Sequence, residues 1–139
     1  MIRATARSAA TPDRLWALAS DVEHWGDRLP TVTSVRRLGG GPIRVGSTFE
    51  VRQPGLPKAV WEVTEWQQQG RSFTWVSTSL GLRSTAVHTV QDDGGGSRLD
   101  LSLEWSGPLA PILEFLIGRK ARGMVQTEAE TFARLAEQD

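Results

Sequence analysis

Apolar and polar residues alternate from Ile2 to Ser8, with Ile2, Ala4 and Ala6 set against Arg3, Thr5 and Arg7. This period of two predicts a strand with one polar face. Thr11-Pro12-Asp13 then supplies an N-cap and a proline at the first helical position, and Leu15, Trp16, Leu18 and Ala19 form an apolar stripe. A helix is therefore expected from about Pro12 to Ser20. Asp21 is placed to cap a second short helical piece through Val22-Glu23-His24-Trp25, which Gly26 and Pro30 stop. From Thr31 onward the texture changes to short alternating runs, at 31–38, 47–53, 59–67, 72–80, 82–91 and 98–106. Gly39-Gly40-Gly41-Pro42, Pro54-Gly55-Leu56-Pro57, Gly70, Gly81 and Asp92-Asp93-Gly94-Gly95-Gly96 separate them, which predicts hairpins in an antiparallel meander.

In the last run Leu99, Leu101, Leu103 and Trp105 share one face and Asp100, Ser102 and Glu104 the other, so the sheet is expected to have one buried and one wet side. Pro108 opens a final segment in which Leu109, Leu113, Leu116 or Ile117, Met124, Glu128, Phe132 and Leu135 recur at helical spacing. At roughly 1.5 Å per residue this helix is ~40 Å long, enough to cross the sheet. Gly118 and Gly123 within it admit two readings, close packing on the sheet or a bend above a cavity. The sum is an α+β domain of about seven antiparallel strands and a long C-terminal helix.

The order strand, two short helices, six strands and a long helix resembles the START-like, helix-grip superfamily. Thr11-Pro12-Asp13-Arg14-Leu15-Trp16, Ser20-Asp21-Val22-Glu23-His24-Trp25, Leu29-Pro30, Val45-Gly46-Ser47-Thr48-Phe49 and Trp61-Glu62-Val63-Thr64-Glu65 occur in that order. Together they look like the polyketide cyclase/dehydrase and coenzyme Q-binding START-domain branch over essentially the full length. The resemblance implies one START-like ligand-binding domain over 1–139, with a curved sheet wrapped around the last helix. It also implies a hydrophobic cavity between sheet and helix, used across the superfamily for lipids, isoprenoids, polyketides or hormones. It does not imply one activity.

The chain is 139 residues long, about one domain. Its 16 basic and 16 acidic residues balance, which argues against nucleic acid or an anionic membrane being drawn by bulk charge. There is no cysteine, hence no disulfide and no thiolate, as fits a reducing cytoplasm. Without an apolar signal segment or a run near the ~18 residues needed to span a bilayer, the chain reads as cytoplasmic. Only His24 and His88 are histidines, on different elements, so no metal site is expected. The glycine clusters lie between strands and form no phosphate loop, and no G-x-S-x-G elbow occurs. No cofactor is expected, and oligomeric state is not legible.

Six tryptophans with no tyrosine are more indole surface than so small a core usually needs. Register places Phe49, Val51, Trp61, Val63, Phe73, Trp75, Leu101 and Leu103 on the inner face. Trp61 and Trp75 then face the cavity, or simply fill the core, while Trp66 lies outward or at a strand end. Trp16 is assigned to the core under the first helix and Trp25 to the pocket mouth. Leu113, Ile117 and Met124 would close the cavity from the helix side. His88 lies mid-strand in register with Ala86 and Val90, the best candidate for acid/base work, or else a structural histidine, or one facing solvent if the register is off by one. Ser77 and Ser84 are the few inner hydroxyls. His24 reads as solvated, and Glu65 as a cavity-rim group, a residue turned out through a strand bulge, or an exposed strand end. Arg119, Lys120 and Arg122 form either a solvated face or a patch for an anionic head group or partner. The function expected is binding of a small hydrophobic or amphipathic molecule. The alternatives are a polyketide cyclase, aromatase or dehydratase with His88 as proton shuttle, and a protein-interaction module.

Overall fold

The structure is a computed structural model that describes residues 1–138. Strand β1 (Ile2–Ser8) leads into helix α1 (Pro12–Ala19), a single 3-10 turn (Val22–His24) and helix α2 (Trp25–Arg28). Six strands follow: β2 (Ser34–Leu38), β3 (Thr48–Arg52), β4 (Ala59–Gln67), β5 (Ser72–Ser79), β6 (Leu82–Asp93) and β7 (Gly96–Ser106). Helix α3 (Ala110–Ala136) completes the order. The strands form one antiparallel sheet of order β1-β7-β6-β5-β4-β3-β2, the α+β architecture that the alternating runs predict.

Local chemistry explains the first turn of α1. The Thr11 hydroxyl accepts a hydrogen bond from the Arg14 backbone N–H at 3.2 Å, and Pro12 occupies the position whose N–H has no helical partner. Asp21 does not cap the next piece, having no side-chain bond to its backbone. Its carboxylate instead takes His24 Nδ1 at 2.9 Å and Arg28 Nη1 at 3.0 Å. The hydrogen bond to Asp21, reinforced by the carboxylate's charge, raises the pKa of the exposed His24.

The central strands bury alternate residues: Phe73 and Trp75 on β5, Ala86, His88 and Val90 on β6, Leu99 and Leu101 on β7. Strand β4 breaks this alternation. Its register on β5 shifts between Val63 and Glu65, so that Val63 faces Trp75 while Trp66 faces Phe73. One extra residue inverts the parity. Glu65 is therefore exposed, and Trp66 turns inward to pack at 5.4 Å from Trp16 and 5.2 Å from Phe73. This corrects the outward placement that uninterrupted alternation suggests for Trp66.

Helix α3 packs chiefly on β1 and β7. Its sheet-facing stripe is built of small side chains, Ala121, Ala129, Ala133 and Ala136, with Phe132 as the one large buried group. Small residues let the helix axis approach the sheet, and Ser8 Oγ donates to the Ala133 carbonyl at 2.8 Å. Gly123 is exposed with open space where a Cβ would sit, and Gly118 has only Glu114 and Arg122 of its own helix beside it. Close contact with the sheet thus accounts for neither glycine.

Candidate functional site

Across the β5–β6 ladder Phe73 pairs with His88 and Trp75 with Ala86, and across β6–β7 His88 pairs with Leu101 and Ala86 with Leu103. Register delivers all of these side chains to the concave side. The His88 ring lies parallel to Phe73, with centroids 4.4 Å apart, and is 5.3 Å from Trp25. It is 4% exposed. From α3, Glu128 reaches toward it, placing Oε2 3.4 Å from His88 Nε2. The Glu128 side chain is itself only 14% exposed. Among the described residues the other ring nitrogen, Nδ1, is buried without a hydrogen-bond partner. A proton on Nε2 directed at Glu128 leaves Nδ1 an acceptor. An ionisable pair is costly to bury among indoles unless it is matched internally, and here each member is the other's match.

The pair borders a cavity of about 90 Å³. Trp25, Val32, Val51, Gln53, Trp61, Trp75, Ala86, Leu101, Ser102, Leu103 and Val125 complete its lining. Trp61 and Trp75 stack at 5.3 Å and 30° to form one wall. Trp75 is buried, whereas Trp61 is half-buried and stands toward the open side. Gln53 is fixed at the rim by donating to the Thr31 carbonyl at 3.1 Å.

Of the residues named from the sequence, Trp25, Val51, Trp61, Trp75, Ala86, His88, Leu101 and Leu103 line this space. Phe49, Val63 and Phe73 are buried in the surrounding core. Ser77 is half-buried opposite Ser84, near the far end of β5 and outside the lining. Leu113, Ile117 and Met124 are half-buried on α3 and also outside it, because the small-residue stripe, not theirs, faces the sheet. Val125 and Glu128 take that place. Trp25 requires a correction: it is not at a mouth but 2% exposed at the centre, within 5.2 Å of Trp75 and 5.6 Å of Phe132. Its indole N–H donates to the Ala19 carbonyl at 3.2 Å, which turns the ring into the interior. Most of the space between sheet and helix is consequently filled. Glu128 was visible only as a carboxylate in an otherwise apolar helical stripe, a signal that marks a buried charge in search of a partner.

No metal-binding cluster occurs among the described residues, and no helix among them is long and apolar enough to cross a membrane.

The family model described as polyketide cyclase/dehydrase and lipid transport matches residues 1–137. The chain belongs to this family. No curated protein matches its sequence. Among solved structures, this polyketide cyclase/dehydrase family member resembles norcoclaurine synthase from Thalictrum flavum in complex with dopamine and hydroxybenzaldehyde. That likeness has a TM-score of 0.77 at 19% identity, over 99% of this chain and 87% of that one. An aromatase/cyclase from a Streptomyces species matches with a TM-score of 0.69 at 15% identity, covering 92% of each chain. A protein from Thermus thermophilus matches with a TM-score of 0.72 at 20% identity, covering 99% of this chain and 94% of that one. At these identities the likeness is one of fold: the curved seven-stranded sheet holding a long C-terminal helix.

Proposed function

We propose that this family member acts as one ligand-binding domain. It takes a small apolar or amphipathic molecule between Trp61, Trp75 and α3, with a polar group of the ligand meeting His88. The observation that carries this reading is the cavity of about 90 Å³ whose indole and aliphatic wall is interrupted by the buried His88–Glu128 pair. A wholly structural core has no use for an ionisable pair beside a void, because hydrophobic side chains of similar volume would pack there at lower cost. The size bounds the guest. An apolar cavity of roughly 150 Å³ holds benzene, so this one takes a ring or short branched chain only if Trp61 moves outward. Its half-buried side chain leaves room for that movement. The dopamine and hydroxybenzaldehyde of norcoclaurine synthase are single-ring compounds, which supports the same size class. The cysteine-free sequence supports a cytoplasmic setting.

Ligand binding is tested by tryptophan emission and melting temperature against phenolic aldehydes, short-chain acids and isoprenoid alcohols, with native mass spectrometry of freshly purified protein. A shift in both signals by one class is the expected result. Unchanged emission, unchanged melting and no retained molecule together overturn the reading.

A second reading rests on the same pair. Lining the cavity together, His88 and Glu128 can accept a proton from a carbon next to a ketone, the first step of a cyclase or dehydratase. The proton passes from carbon to the pair and returns to the enolate, so no further reactant is needed. Deuterium exchange into a small 1,3-diketone, followed by NMR, is expected to slow at least tenfold in His88→Gln. Equal rates remove the catalytic reading and leave binding intact.

A further inference from the structure

The first half of α3 carries an apolar stripe that does not face the protein. Leu109, Ile112 and Leu116 follow at helical spacing and are 46%, 56% and 68% exposed, and Phe115 beside them is 88% exposed. In the same turns Ala110 and Glu114 are half-buried and Gly118 is buried, beside Glu114 and Arg122 of its own helix. The stripe continues onto the β5–β6 turn: the Leu109 backbone N–H donates to the Gly81 carbonyl at 2.9 Å, and the preceding Leu80 is 96% exposed. Two segments far apart in sequence therefore present large aliphatic and aromatic side chains to water at one corner of the molecule.

The charges beside this corner are mostly basic, with Glu114 and Glu104 as the acids. Arg119, Lys120 and Arg122 follow within one to two turns of Leu116 and are exposed, and Arg83 lies three residues beyond Leu80, also exposed. The single acid of this helical stretch, Glu114, pairs with Arg122. At ~1.5 Å per residue, the midpoint of the stripe lies ~10 Å along the helix from Arg119 and Lys120.

We propose that this corner, Leu80 together with Leu109, Ile112, Phe115 and Leu116, docks on an anionic lipid surface, its cationic collar among the headgroups. A bilayer supplies both halves of the complement, a fluid apolar layer that needs no matching shape and a negative plane above it. Side chains that stand as clear of their neighbours as Leu80 and Phe115 suit such a layer. The chain's overall charge of zero hides the patch, because acids elsewhere balance it. The surface lies apart from the cavity, and neither proposal depends on the other.

Co-flotation of the full chain with phosphatidylcholine vesicles containing about 30% phosphatidylglycerol tests this, with pure phosphatidylcholine vesicles alongside. Binding is expected to the anionic vesicles, several-fold weaker to the neutral ones, and weakened by raised salt. Phe115→Asp and Leu80→Asp are each expected to lower partitioning about tenfold or more, with melting temperature unchanged because both side chains are exposed. Arg119→Glu is expected to remove the preference for anionic vesicles. Absence of vesicle binding, or binding that Phe115→Asp leaves unaltered, overturns the proposal. A concentration-dependent dimer that Phe115→Asp disperses, in a protein that ignores vesicles, also overturns it and gives the face to a second copy of the chain.

Discussion

The interior has two ends built from the same residue types and finished differently. Around Phe73 the space is closed: Trp66 lies 5.2 Å away, Trp16 6.1 Å, Trp25 6.3 Å, and the His88 ring covers its face. Around Trp75 the stacked Trp61 stands half-exposed and a void of about 90 Å³ remains. The difference lies in what opposes the sheet. At the closed end α1 contributes Trp16 and the β4 bulge contributes Trp66. At the hollow end α3 offers Val125 and a carboxylate. Aromatic abundance alone therefore does not make a cavity; the facing helix residues decide where packing stops.

The comparison can be broken most forcefully at Phe73. Phe73→Ala is expected to destabilise the protein by about 3–5 kcal/mol in denaturant unfolding, against under about 2 kcal/mol for Trp61→Ala, whose ring is part-solvated. Equal losses would mean that the two ends are packed alike. Filling the hollow end sharpens the contrast from the other side. Ala86→Leu is expected to abolish ligand-induced changes in emission while costing no more than about 1–3 kcal/mol; a retained ligand response would move the binding site elsewhere. Glu128→Gln keeps shape and removes charge. It is expected to cost about 1 kcal/mol and to alter binding of ligands bearing a polar group more than that of purely apolar ones, read by titration of tryptophan emission.

The smallest effect belongs to the histidine outside both ends. His24 has its pKa raised by the Asp21 hydrogen bond and charge, so its folded value exceeds its unfolded one. The resulting stability is present below about pH 6.5 and is lost as pH rises through the raised folded value. Asp21→Asn is expected to flatten this slight dependence of melting temperature on pH at low salt. An Asp21→Asn profile identical to that of the unaltered protein would remove His24 as its source.

Much of this was legible in advance. Thr11-Pro12, the glycine-rich turns and the alternation of β5 to β7 gave element order and inner face, because each is a local rule. His88 fell inward because β6 keeps strict alternation from Ser84 to Val90. A bulge at Glu65 is one of the readings the sequence leaves open, but the pattern does not say that it turns Trp66 inward; nor does a short helical piece say which way the Trp25 indole turns. In α3, periodicity found residues that share a face without telling which of two stripes meets the sheet. The alanine stripe won by closeness of approach, and Leu109 and Leu116 were left outside. Glu128 belonged to the legible stripe, but its partner came from a strand some forty residues earlier, a distance that no spacing rule spans.

The pairing of β1 with β7, where Ile2 lies opposite Leu103, bears on how the chain reaches this state. The first strand finds no neighbour until a segment about a hundred residues away has formed its own hairpin, so a large loop-closure entropy must be met before the sheet rewards it. Folding is accordingly expected on the millisecond-to-second scale of non-local β topologies, with β1 and α3 joining last.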